Sequence, residues 1–163
     1  MEIERRDNFL KLAGQIEFGD FIELKKTLKD FDRTKLLEIF LQIRGGIVNE
    51  ALDIALYLDS FNTIIHPYEY VHSAGVLILM VGKQRPGNLL KTNPTFLLHI
   101  PIEVERNVRV DDDYLIQYAG IMACRLKISE DEIVQLLKEE KKISVQKAKE
   151  IGLVDSNEVD FNR

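Results

Sequence analysis

Three points along the sequence hold residue types that could act together on a carbonyl: Gly45-Gly46, Ser73 and His99. A glycine pair after a strand lets backbone N–H groups face a cleft, because no Cβ blocks the approach. Such amides can hold an oxyanion. Ser73 opens an apolar run, and if that run is a helix, the amide of Ala74 lies at its positive end. His99 lies near the end of an apolar stretch just before Pro101, where a neutral imidazole could take the Ser73 proton. Taken singly, each residue has a plainer role: a turn, a helix cap and a structural histidine. His66 and His72 fit the plainer role best. His66 precedes Pro67, and His72 adjoins Ser73, where neighbouring side chains point apart.

These residues need elements to position them, and the periodicity supplies a set. Phe9, Leu10 and Leu12 form a short strand ending at Gly14-Gln15. Asp20 is placed to cap a helix that buries Phe21, Leu24, Leu28 and Phe31. Leu37, Ile39, Leu41 and Ile43 alternate with Glu38, Phe40, Gln42 and Arg44 and read as a strand stopped by the glycine pair. Asn49 to Ser60 reads as a helix, and Asn62 to His66 as a strand broken by Pro67. The run Ala74 to Val81 is a buried strand or a short buried helix, and periodicity leaves both open. A turn at Gly82 to Gly87 and a strand over Thr95 to Ile100 follow. A helix over Asp111 to Lys127 precedes a second, opened by the Ser129 and Glu132 capping box and running through Glu140. Ser144 caps a last helix that stops at Gly152, and Leu153-Val154 reads as a strand stub. Strand and helix alternate, so an α/β architecture is expected.

Composition agrees with one domain over residues 1–163. The chain is 45% hydrophobic and 30% charged, with a net charge of −5, a globular composition. The single cysteine, Cys124, excludes an intrachain disulfide and a cysteine zinc cluster. No apolar run is long enough for a transmembrane helix, and residues 1–8 are too charged for a signal peptide. No basic stretch is denser than pairs such as Lys25-Lys26, which argues against nucleic-acid binding. The expected setting is the cytosol, with no membrane partner, metal or cofactor.

Five segments, in order, resemble the Clp protease proteolytic subunit, the ClpP family of the ClpP/crotonase superfamily. Leu12-Ala-Gly-Gln-Ile16 is similar to the first family strand and its turn. Ile43-Arg-Gly-Gly46 resembles the family's Ser-Pro-Gly-Gly, and Val71-His-Ser-Ala-Gly75 its Ala-Ala-Ser-Met-Gly. Phe96-Leu-Leu-His-Ile-Pro101 resembles the strand ending in His-Gln-Pro. Glu150-Ile-Gly-Leu-Val-Asp155 resembles the terminal Glu-Tyr-Gly-Leu-Val-Asp. The resemblance implies a spiral of ββα units with a shortened handle region, and a helix after Ser73. It implies a serine-type endopeptidase with Ser73 as nucleophile, His99 as base, and Gly45 and Ala74 as oxyanion donors. Gly46, Ile47, Val48, Ile100 and Ile102 would line an extended peptide.

Gapless alignment on Ser144 puts Glu140 where the family has its triad aspartate. Glu139 and Asp111 to Asp113 are weaker candidates for the acid. Arg44 replaces the proline before the glycines, and Ile100 replaces the glutamine after the histidine. The stretch after His99 is shorter than the family's, and much of the family's N-terminal extension is lacking. A peptide or unfolded-protein substrate and a homo-oligomer follow from the resemblance, while docking of an unfoldase and a double ring are left open. A catalytically degenerate subunit that binds or assembles is the alternative; a crotonase-type acyl-CoA enzyme is the third reading.

Overall fold

A computed structural model describes residues 1–82, 93–103 and 108–155. Strands are β1 (Glu2–Arg6), β2 (Phe9–Ile16), β3 (Leu36–Gly46), β4 (Asn62–His72), β5 (Thr95–Leu97), β6 (Ile102–Glu103), β7 (Val108–Arg109) and β8 (Lys142–Ile143). Helices are α1 (Asp20–Thr27), α2 (Val48–Asp59), α3 (Gly75–Leu79), α4 (Asp112–Ala123), α5 (Glu130–Glu139) and α6 (Val145–Glu150). The fold is mixed α/β. A six-stranded sheet runs β1-β2-β3-β4-β5-β8, and β6 pairs with β7 in a separate ribbon. Strands β2 to β5 are parallel, while β1 and β8 close the edges antiparallel. Among the described residues no helix is long and apolar enough to cross a membrane.

The alternation in β3 builds the core. Leu37, Ile39, Leu41 and Ile43 are fully buried on one face, and Glu38, Phe40, Gln42 and Arg44 take the other. Helix α2 adds Ala51, Ile54, Ala55 and Leu58 to the same core. The run after Ser73 is helical: all five residues of α3 are buried. Gly75 permits that packing, since a Cβ there would sit 2.6 Å from Ile43 Cβ. The expected turn at 82–87 falls, beyond Gly82, outside the described residues.

Several sequence expectations change. Pro67 does not end its strand; β4 continues to His72 through a register shift. Leu41 faces Pro67, but Ile43 faces Val71. Pro67 lacks an N–H, and the irregular stretch that follows, with Glu69 at φ 52°, accommodates it inside a sheet. Asp20 is the first residue of α1, not its cap. The cap is Gly19 in the left-handed region, and the carboxylate of Asp20 accepts from Glu17 N–H instead. Glu50 of α2 takes over at that end, accepting from Gly19 and Phe21 amides at 3.1 and 2.9 Å. Leu153-Val154 is a bend, because both amides turn back to Ala148 O at the end of α6. Strand β5 stops at Leu97, and α4 stops at Ala123. The Ser129 capping box and the Ser144 cap form as expected.

His66 gains a partner that the sequence hides. It is 5% exposed, packs against Phe40 with the two rings tilted, and meets Glu38 Oε2 at 3.1 Å through Nε2. A carboxylate only accepts, so Nε2 carries the proton. Among the described residues, Nδ1 is buried without a hydrogen-bond partner. Burial lowers the His66 pKa, and Glu38 only partly opposes it. The unfolded chain therefore binds the proton more tightly than the folded one. This contribution to stability is complete above the unfolded value of about 6.5 and is lost as pH falls through the lower folded value. His72 shifts in the same direction. His66→Leu should therefore flatten, but not abolish, the fall in urea midpoint on acidification. An unchanged slope would remove His66 from the linkage.

Candidate active site

The parallel strands β2, β3, β4 and β5 all end at one side of the sheet, where an open α/β sheet forms its crevice. A cavity of about 810 Å³ lies there. Ser73 and His99 both line it, with Gly45, Gly46, Ile47, Val48 and Ile102. Seven of the expected site residues thus share one lining.

Ser73 is held from both sides. Its amide donates to Leu97 O at 2.7 Å, and its carbonyl accepts from Val76 N–H at 2.9 Å, the first turn into α3. It takes φ 53°, left-handed for a non-glycine residue. Strain of this kind at a strand-to-helix turn lifts a side chain clear of its neighbours and occurs at reactive serines. Gly45 lies against it. A Cβ on Gly45 would come within 2.9 Å of Ser73 Cβ and 3.3 Å of Oγ. Ala74 is fully buried at the start of α3 and contributes no surface to the lining.

His99 follows the end of β5. Its Nδ1 lies 2.8 Å from Ile100 O. Ile100 itself is 6% exposed and packs into the core, so it does not line the cavity as expected; Ile102, 50% exposed, does. Among the described residues no hydrogen bond joins Ser73 Oγ to His99. Such bonds are often long in unliganded enzymes and tighten on substrate binding.

Glu140 is not brought into this lining. It ends α5 at φ 49°, exposed, just before β8. Asp111 is the weaker candidate that does reach the cavity, at the N-cap of α4. Its Oδ1 accepts from Tyr114 N–H at 2.8 Å. Arg44, Glu17, Asn49 and Tyr114 also line the cavity and were not expected there. Arg44 could have been suspected, since it adjoins the glycine pair. Its Nε donates to Tyr70 Oη at 3.1 Å. His72 keeps a structural role, with Nε2 3.0 Å from Thr95 Oγ1. Burial first, then Lys142 and His99, lower its pKa and favour the neutral ring. Among the described residues no cluster of three or more His, Cys, Asp or Glu could hold a metal ion.

No protein-family model and no curated protein matches the sequence. Solved structures do. ClpP1 from Listeria monocytogenes superposes with a TM-score of 0.73 at 17% identity, over 91% of this chain and 89% of that one. The ClpP protease catalytic domain from Plasmodium falciparum gives 0.72 at 19% identity, over 91% and 83%. The chain has a ClpP-like fold.

Proposed function

We propose that this chain is a ClpP-like serine peptidase. The supporting observation is that Ser73 and His99, 26 positions apart in sequence, line one cavity with Gly45 packed against the serine. Ser73 Oγ attacks the peptide carbonyl and passes its proton to His99 Nε2. The amides of Gly45 and Ala74 hold the oxyanion. The tetrahedral adduct then collapses, His99 returns the proton to the leaving amine, and an acyl-enzyme remains. Water, deprotonated by the same imidazole, releases the acyl group. The peptide lies extended along Gly46 to Val48 and Ile102, pairing as an added strand. A cytosolic homo-oligomer acting on peptides or unfolded proteins belongs to the same reading.

The catalytically degenerate alternative draws on the open Ser73–His99 pair and on Glu140 standing outside the lining. A fluorophosphonate probe decides between them. The peptidase should form an adduct that peptide mass spectrometry locates on Ser73. A protein that stays unmodified, or carries the label elsewhere, favours the degenerate subunit.

A further inference from the structure

We propose that the main-chain carbonyl of Ile100 is the positioning group for His99, doing the orienting work that the resemblance assigns to Glu140. The inference rests on the peptidase reading above. A carbonyl oxygen can only accept, so the 2.8 Å contact requires the proton on Nδ1. That leaves the lone pair on Nε2, the tautomer a general base needs.

The carbonyl is well held. The Ile100 side chain is packed into the core. The next residue, Pro101, is buried, has a φ fixed by its ring, and accepts from Val110 N–H at 3.2 Å. Two residues of rigid backbone therefore aim the acceptor at His99. A peptide carbonyl differs from a carboxylate in one respect that matters: it fixes the tautomer without placing a full negative charge beside the imidazolium. The orienting role and the charge-stabilising role, joined in a triad acid, are separated here. Asp111 is the carboxylate of the lining nearest in role, but its Oδ1 is committed to the α4 cap.

Nitrogen-15 spectra of the uniformly labelled chain test this directly. The imidazole of His99 is assigned by the signals lost in His99→Gln. The expected result is that the neutral ring is the Nδ1–H tautomer, retained in Glu140→Gln. The rate of fluorophosphonate labelling in Glu140→Gln should stay within about threefold of the parent, where loss of a triad acid costs about four powers of ten. An Nε2–H tautomer in the parent, a tautomer change in Glu140→Gln, or a hundredfold fall in its labelling rate would overturn the proposal. The tautomer can be read even in a protein that takes no probe, so failure of the peptidase reading and failure of this inference remain distinguishable.

Discussion

Ser73→Ala should lower kcat for peptide cleavage by about six powers of ten, and His99→Ala should cost nearly as much, as in the serine-protease template. The double variant should lose little more than either single one. The reason is that in a nucleophile–base pair the two side chains act as one unit. Without the imidazole the hydroxyl keeps its proton, and without the hydroxyl the imidazole has nothing to activate. The residual rate comes from the oxyanion amides and from binding alone. Neither change should affect stability much. Ser73 holds its place through its main chain, to Leu97 O and from Val76 N–H, and both bonds survive in alanine. Thermal unfolding of Ser73→Ala should therefore match the parent. Strictly additive losses in kcat would mean that Ser73 and His99 do not cooperate, and the nucleophile–base pairing would be abandoned.

Much of this arrangement was legible before any coordinates. The central strand β3 announced itself by strict alternation, because one face is wholly buried and the other is not. The capping box at Ser129 and the cap at Ser144 are local chemistry, so they read directly from sequence. Ser73, His99 and the glycine pair, which line one cavity, could be singled out as candidates for a related reason: each stands at or just beyond the end of an element, where the ligand crevice of a parallel sheet forms. What stayed hidden was set by tertiary pairing. Strands β6, β7 and β8 are two residues each, too short to show a period. Strand β1 carries four charged residues among its five and is an edge that lies largely in water. Its alternation is carried by Ile3 alone. Pro67 misled because the bulge that tolerates it depends on where the neighbouring strand lies. The Glu50 carboxylate on the start of α1 spans about thirty positions, beyond any local signal. The contact from His99 to Ile100 O is hidden in another way: a main-chain carbonyl has no residue identity to read.

The glycine pair shows how two neighbours with the same composition do different work, and substitution should separate them. Gly46→Ala should destabilise the fold by on the order of 4 kcal/mol, a large part of a typical domain's stability. At φ 131° an L side chain is strained from the start. The added Cβ would also lie 2.1 Å from Ile16 O and 2.6 Å from Ile16 N. These are backbone atoms of the adjacent strand, paired with Gly46 in the ladder, and Ile16 O also accepts from Ile47 N–H. Nothing flexible can yield, so β2 and β3 must part where they form the cavity floor. Gly45→Ala meets a different obstacle. Its Cβ presses on Ser73 Cβ and Oγ rather than on a strand. With φ 123° it carries backbone strain of about 1–3 kcal/mol. Its larger effect should be on rate, a fall of about 10²- to 10³-fold as serine and oxyanion amide move out of register. Urea midpoints and probe-labelling rates for the two variants give the comparison. A Gly46→Ala protein as stable as the parent would show that the β2–β3 ladder does not close at Ile16. A Gly45→Ala protein that labels at the parental rate would remove Gly45 from the oxyanion site.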